Sequence, residues 1–191
     1  MKRNNFDISS ILITMSLLIL TSCANVNADK DVVKSYYDNG KIKSELRYKD
    51  GKLNGECSWY YSNGSIRMRS HYDMNVLSGE TTMWYENGNI QSRYFCKENE
   101  YDSIFESYNV DGKLVKKEYY KSGVKHGPVS QWYDKGNIFV VGQYEDGMFE
   151  GEWKIYYENG SLGSEAEYDN GAGVQIGYAP NGTKVAMIHY R

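Results

Sequence analysis

The sequence predicts an all-β protein: an elongated antiparallel meander of repeated β-hairpins, with about twelve strands in a single twisted sheet. Glycine recurs with a constant step of 24 residues over six copies, and a second row of turn-forming residues has the same step. Between these rows, apolar and charged residues alternate with the period of a strand. The 19 Tyr and 19 Gly, against 2 Pro, suit strands and turns.

The first segment, residues 1–22, has the build of a secretory signal. Lys2 and Arg3 precede an apolar run over residues 8–20, which is too short to span a bilayer comfortably. The run ends in Leu-Thr-Ser-Cys at 20–23, which resembles the lipobox of bacterial lipoproteins. The resemblance implies cleavage before Cys23, attachment of acyl chains such as palmitate to it, and a lipid-anchored protein in the bacterial cell envelope, at the outer membrane if the host has one. The alternatives are a simple cleaved signal or an uncleaved anchor.

The next segment, residues 23–35, is predicted to be the lipidated cysteine and a polar tether, and residues 36–191 are predicted to be the repeat array. Each unit begins with a short turn that ends in glycine, most often as Asn-Gly or Asp-Gly, and we expect a type I′ turn there. A seventh copy, at Gly182, comes two residues early and predicts a shortened final unit. The six regular glycines are Gly40, Gly64, Gly88, Gly112, Gly136 and Gly160.

A second turn is predicted about half a period later, so each unit has two strands. Its row consists of residues that tolerate the left-handed backbone region. A turn centred near residue 52 would place Tyr48 opposite Cys57 and, by translation, Cys96 opposite Phe105. The second row reads Gly51, Asn75, Asn99, Gly123, Gly147 and Gly171.

Alternation within the strands predicts which face is buried. Over residues 42–48 and 66–72 the even positions are mostly apolar or aromatic and the odd positions mostly charged, so one face of the sheet packs and the other meets solvent. Cys57 and Cys96 would then lie three strands apart, about 14 Å, which is beyond disulfide reach. Both are predicted to be free buried thiols.

A ten-residue motif, Gly-Glu-x-x-x-Tyr/Trp-Tyr-x-Asn-Gly, occurs at 55–64, 79–88 and 151–160. It resembles the MORN repeat family in its bacterial variant form, which implies a β-hairpin array serving as a scaffold or binding surface. Proteins with these repeats are often grouped with antitoxins; an envelope lipoprotein fits better with binding a partner or resisting a delivered effector. The middle unit departs at Ser103, Ile104 and Asn109, so pairing or curvature is expected to loosen there.

The candidate binding face is an aromatic row on the parity opposite to the apolar face, with arginines in the strands beside it. Aromatic residues among charges are typical of interfaces; the alternative is that they only pack across strands. An envelope or effector protein is the expected partner, a glycan or peptidoglycan the rival, and copies of the chain could also pair through the sheet edges. The predicted face comprises Tyr60, Trp84, Tyr108, Trp132 and Tyr156 with Arg67, Arg69 and Arg93.

Other function classes find little support in the sequence. The net charge of −3 and the lack of a basic stripe argue against nucleic acid. His71, His126 and His189 fall at unrelated points of the repeat, with no cysteine or carboxylate at ligand spacing, so no metal ion is expected. No serine lies in a nucleophile-elbow motif. We therefore expect no catalytic residues and no cofactor, with an enzyme hidden in the repeats as the weakest alternative.

Overall fold

The computed structural model describes residues 32–191, which form strands and turns of a single sheet. The predicted signal and Cys23 lie outside the described residues. Within residues 32–191 no helix is long and apolar enough to cross a membrane. The strands are β1 Val32–Tyr36, β2 Ile42–Lys49, β3 Lys52–Leu53, β4 Gly55–Tyr60, β5 Ile66–Asp73, β6 Val76–Leu77, β7 Gly79–Trp84, β8 Ile90–Lys97, β9 Glu100–Tyr108, β10 Leu114–Lys121, β11 Val124–Lys125, β12 Gly127–Trp132, β13 Ile138–Glu145, β14 Met148–Tyr156, β15 Leu162–Asp169, β16 Ala172–Tyr178 and β17 Lys184–Tyr190.

The sheet is an antiparallel meander in which each strand pairs with its neighbours in sequence, as predicted. Three two-residue segments, β3, β6 and β11, continue after one residue into β4, β7 and β12. Joining each to its continuation leaves fourteen strands. The count exceeds twelve because the shortened seventh copy also forms a complete hairpin, β16–β17. β1 begins at Val32, within the segment predicted as a tether.

The first turn of each unit is not the predicted type I′ turn. In the first hairpin only Gly40 has positive φ, at 80°, and Asn39 does not. The Gly40 N–H donates to Tyr37 O at 2.9 Å and the Tyr37 N–H to Lys41 O at 2.8 Å. This is a three-residue loop, a type I turn closed by a left-handed glycine and a bulge. Asn39 stabilises this loop through its side chain rather than through a left-handed backbone, since Asn39 Oδ1 accepts a hydrogen bond from the Lys41 N–H.

The second turn is the type I′ turn. Asp50 and Gly51 both have positive φ, 50° and 71°, and Tyr48 pairs with Leu53, so the predicted Tyr48–Cys57 pairing is wrong. Further along, Ser44 pairs with Trp59. Between these two pairs β2 advances by four residues and the facing strand by six, because a bulge near Gly55 inserts two extra residues in the facing strand.

The same bulge explains two other features of the array. Cys96 pairs with Tyr101, and Phe105 with Tyr94, so the predicted Cys96–Phe105 pairing is also wrong. In the final unit β15 and β16 pair without a register shift from Asp169–Ala172 to Ser164–Gly177. The final unit is two residues shorter because it lacks the bulge.

The middle unit keeps its pairing, contrary to the expectation that it would loosen. Strand β9 runs unbroken from Glu100 to Tyr108 and pairs with both β8 and β10. Ser103 takes φ 78° at the position where Gly55, Gly79 and Gly127 have φ of 95°, 114° and 103°. The bulge is therefore formed by a serine in a left-handed conformation, which disfavours residues with a Cβ.

Tyrosine hydroxyls join each unit to the next. Tyr61 Oη donates to Trp84 O at 2.7 Å and Tyr85 Oη to Tyr108 O at 2.9 Å. The same bond recurs from Tyr37, Tyr133 and Tyr157. We call these five tyrosines the tyrosine ladder. Its missing rung is at Asn109. Asn109 Oδ1 accepts from the N–H groups of Asp111 and Lys113 within the turn, and Nδ2 donates to Asp134 Oδ1 of the next unit at 3.4 Å.

The core lies on the face predicted from the alternation and consists of two apolar clusters. One contains Leu77, Tyr94, Cys96 and Phe105, the other Val129, Val140, Trp153, Ala166 and Tyr168. Cys57 and Cys96 are buried and free, as predicted. Burial raises the pKa of the Cys57 thiol and raises that of Cys96 to about 11, so neither is a reactive thiolate near neutral pH.

A charged triad, made of the buried Glu118 and the half-buried Lys116 and Lys125, lies between the two clusters. Glu118 is 2% exposed, with the Lys116 and Lys125 Nζ atoms 2.9 and 3.0 Å from its carboxylate oxygens. Burial opposes ionisation of Glu118, but the two ammonium groups outweigh it and hold its pKa below the usual range. Tyr120, beside the first cluster, donates to Glu118, and Lys125 lies 4.8 Å from the ring centroid of Tyr144, beside the second.

Candidate functional site

The face opposite the core has one side chain from every strand in a continuous line of cross-strand pairs. Paired residues point to the same face of a sheet, so this line, which we call the polar row, crosses all the hairpins. It is mostly charged or hydroxylic up to β15 and ends in two apolar residues. In order it comprises Lys34, Glu45, Ser58, Arg69, Thr82, Arg93, Glu106, Lys117, Ser130, Val141, Lys154, Glu165, Ile176 and Met187.

The predicted aromatic row lies beside the polar row, at the ends of β4, β7, β9, β12 and β14. All five of its members are half-buried. Tyr60 Oη donates to Glu45 Oε2 and Tyr108 Oη to Glu106 Oε2, both at 2.9 Å. Two carboxylates of the polar row therefore hold two rings of the aromatic row in place. Tyr178, in the shortened unit, donates likewise to Glu165 at 2.6 Å.

Two of the three predicted arginines belong to the polar row and contact it or the aromatic row. The Arg69 guanidinium lies 5.9 Å from the ring centroid of Trp84, and its Nε is 3.4 Å from Glu56 Oε1. Arg93 Nη2 is 2.8 Å from Glu106 Oε2. Arg67 is exposed and lies at the bulge where Tyr60 pairs with Ile66. The structure thus joins Arg69 and Arg93 to the aromatic row and leaves Arg67 at its border.

Glu106 is the centre of the polar network on this face. Its side chain is 10% exposed, and Arg93, Lys117 and Tyr108 surround it, with Lys117 Nζ 3.5 Å from Oε1. Burial opposes ionisation, but hydrogen bonds from Arg93 and Tyr108 and the nearby positive charges hold the pKa of Glu106 below the usual range. Ionised Glu106 fixes the position of Tyr108 and of two cations.

Sequence reasoning identified Arg69 and Arg93 in the polar row but missed the row as a whole and its carboxylates. Glu45 and Glu165 share a repeat position with Arg69, Arg93 and Lys117, whereas Glu106 belongs to another. The carboxylates therefore give no periodic signal. Only the cross-strand register, Arg93 opposite Glu106 and Glu106 opposite Lys117, brings them together.

A histidine and two carboxylates meet at a separate place on the sheet. His126 Nε2 is 3.7 Å from Glu145 Oε2, and Nδ1 is 3.4 Å from Asp146 Oδ1. Sequence reasoning missed this group because His126, between β11 and β12, is far in sequence from Glu145 and Asp146, at the end of β13 and in the turn after it. Nδ1 is buried and makes no hydrogen bond, so Asp146 approaches it outside hydrogen-bond geometry. The two carboxylates face different ring nitrogens, and one metal ion binds only one nitrogen of an imidazole, so this geometry is not that of a single cation site.

The described residues also form a shallow depression of about 210 Å³ at the start of the sheet, lined by charged side chains. Lys34 and Glu45, two of its lining residues, form an ion pair with each other. Its remaining lining residues are Val32, Arg47, Glu56 and Ser58.

The meander of hairpins, with a packed face and a face of regularly spaced aromatic and charged residues, defines a β-hairpin repeat protein. Residues 32–50, 53–74, 77–95 and 149–170 match the family model described as MORN repeat variant. The chain therefore contains MORN repeat variants, and repeats of this family generally serve as protein- or membrane-binding modules. The matched residues stop at 95 and resume at 149; Ser103, Asn109 and the charged triad fall between. A search of curated proteins found no match.

Proposed function

We propose that the protein is a non-catalytic interaction module, held at the bacterial cell envelope by a lipid on Cys23, whose aromatic row binds another protein. The observation that carries the proposal is that three rings of the aromatic row are held in place. Tyr60 and Tyr108 are hydrogen-bonded to carboxylates, and Trp84 lies beneath Arg69. Rings already held in place lose little conformational entropy on binding, which favours affinity.

Charge favours a protein partner over a neutral glycan. Arg69 and Arg93 have side chains 51% and 44% exposed beside the aromatic row. Aromatic residues combined with arginine are the composition of protein interface hot spots. A glycan that stacks on the rings is the second candidate, supported by their regular spacing, and competition with soluble glycan fragments separates the two.

The proposed partner is an envelope protein or a delivered effector. An antitoxin that neutralises a cytoplasmic toxin would need to be in the same compartment as the toxin, whereas a lipidated protein at the envelope would be in a different one. An immunity-like role, in which the aromatic row binds an incoming effector, is compatible with both the anchor and the repeat family.

The lipid anchor has a direct test. Several acyl chains give stable attachment, whereas a single chain binds a membrane only marginally. We expect metabolic labelling with a clickable palmitate analogue to label the full chain, Cys23→Ser to abolish the label, and Cys57→Ser to retain it. Equal labelling of the Cys23→Ser variant would contradict lipidation at this residue.

The interaction module is tested by affinity capture from envelope extract with the full chain in mild detergent. The variant is Trp84→Ala with Trp132→Ala, and the control is Phe95→Ala with Val124→Ala, which removes two exposed apolar side chains outside the row. We expect a partner captured by the parent and the control and lost by the folded tryptophan variant. Equal capture by all three would assign the aromatic row a structural role.

A further inference from the structure

The aromatic row and three exposed cations of the polar row, Arg69, Arg93 and Lys117, share one spacing. Trp84 is on β7 and Tyr108 on β9, with β8 between them, and Arg93 on β8 and Lys117 on β10 are likewise separated by one strand. Strands lie about 4.8 Å apart, so members of either row recur every ~9.5 Å. A partner that uses successive units must present matching groups at that interval.

In the middle of the polar row, beside Trp84 and Tyr108, the charges that a partner can reach are positive, whereas Glu45 and Glu165 lie toward its two ends. The Arg69, Arg93 and Lys117 side chains are 51%, 44% and 35% exposed, whereas Glu106 is 10% exposed. Glu56 and Glu80 precede Ser58 and Thr82 on their strands, so they lie on the side of the polar row away from the aromatic row. Beside Lys117 the equivalent positions are Ile104 and Pro128. The middle of the strip, from Arg69 to Lys117, therefore complements an acidic partner.

The spacing discriminates between partner conformations. A β-strand repeats its side chains on one face every ~6.7 Å, and an α-helix presents the same face after seven residues, about 10.5 Å. Polyproline II repeats every three residues, about 9.3 Å. Over four intervals the helix departs from the row by about 4 Å and polyproline II by about 1 Å. A polyproline II chain also has no internal hydrogen bonds, so its carbonyls can accept from the indole N–H groups of Trp84 and Trp132.

We propose that this strip binds a proline-rich segment in the polyproline II conformation with an acidic residue at every third position. The inference rests on the proposed function and specifies the chemistry of the partner. Proline rings pack on the aromatic row, which is the usual mode of polyproline II recognition, and the acidic side chains reach Arg69, Arg93 and Lys117.

The test uses two synthetic peptides of identical composition, with the full chain in mild detergent. One is five repeats of Pro-Pro-Glu, and the other has the same ten prolines and five glutamates with the glutamates in one block. We expect the periodic peptide to bind at least about tenfold more tightly, as read by tryptophan fluorescence. Arg93→Gln and Trp84→Ala should each weaken it by about tenfold, whereas Lys121→Gln, at the far end of β10, should not.

Equal affinity for the two peptides, or binding of neither, would overturn the polyproline II proposal. If Trp84→Ala with Trp132→Ala still loses a captured partner in that case, the interaction module stands and only the partner chemistry fails. If that variant captures normally as well, both proposals fail. Displacement of the periodic peptide by a soluble glycan fragment, with equal binding of the permuted peptide, would favour a glycan ligand. Circular dichroism of each variant separates loss of binding from loss of fold.

Discussion

Ser103 shows how a single residue can depart from the repeat without changing its backbone. It adopts φ 78° where four other units have glycine with positive φ, and its side chain is exposed. The left-handed region costs a residue with a Cβ about 1–2 kcal/mol. The pairing of β9 with both neighbours holds the serine in this conformation, so the middle unit keeps its bulge in a strained form.

Replacing this serine with the residue of the other units should stabilise the protein. We expect Ser103→Gly to raise the free energy of unfolding by about 1 kcal/mol, because it removes the left-handed strain. The measurement is urea unfolding followed by tryptophan fluorescence. The control, Gly127→Ser, introduces strain at the equivalent bulge and should lower stability by at least as much, because φ there is 103° and an added Cβ would lie 3.3 Å from the Tyr119 Cβ. An unchanged midpoint for Ser103→Gly would show that no strain is stored there.

The hairpin is the element that repeats, and three devices fix its length and its contact with the next hairpin. A type I turn with a glycine bulge closes one end, a type I′ turn closes the other, and a two-residue bulge follows the type I′ turn. The tyrosine ladder then ties each hairpin to the next one. Asn109 interrupts the ladder in the middle unit, since its amide bonds its own turn and the Asp134 carboxylate of the next turn.

Restoring the missing rung should stabilise the array. In an Asn109→Tyr, Asp111→Asn variant, the introduced tyrosine hydroxyl would donate to Trp132 O, the acceptor that the ladder's offset of 23 residues predicts, while the introduced asparagine supplies the turn bonds. We expect the free energy of unfolding to rise by about 1 kcal/mol, the usual net value of one hydrogen bond. Tyr85→Phe should lose about as much, and Tyr36→Phe, at a residue 58% exposed, should change little. A fall in stability for the restored variant would contradict the ladder's role.

At the scale of the whole described sheet, the charged triad separates two apolar clusters. In a repeat protein each unit contacts mainly its neighbours, so a break in the packing limits how far stabilisation extends along the array. The triad is fully paired in the folded state. A buried ion pair of this kind gives little net stability, because desolvation offsets the attraction between the charges.

Replacing all three residues of the triad by apolar residues should therefore be tolerated, whereas replacing Glu118 alone should lower the stability. The residues at the equivalent positions of other units are Met68, Leu46 and Leu77. We expect Lys116→Met, Glu118→Leu, Lys125→Leu to be neutral or stabilising by about 1–4 kcal/mol, because the two clusters then join. Glu118→Leu alone should cost about 1–3 kcal/mol, because it leaves two half-buried ammonium groups without their hydrogen-bond acceptor.

Urea unfolding of both variants decides this comparison. If the triple variant loses as much stability as Glu118→Leu, the triad contributes to the fold by more than mutual neutralisation. A triple variant with a steeper dependence on urea than the parent would show that the two clusters unfold together once the charges are removed.

The local pattern determined the fold class, the unit length, the buried face and the free state of both thiols, because turn residues and period-2 alternation act within one hairpin. Only the tertiary structure decided the register, since the bulge near Gly55 adds two residues that no alternation reveals. The tertiary structure also decided which residues surround the predicted aromatic row. Glu106, Glu118 and His126 meet their partners across strands, and alternation states which face a residue occupies but not which residue lies opposite.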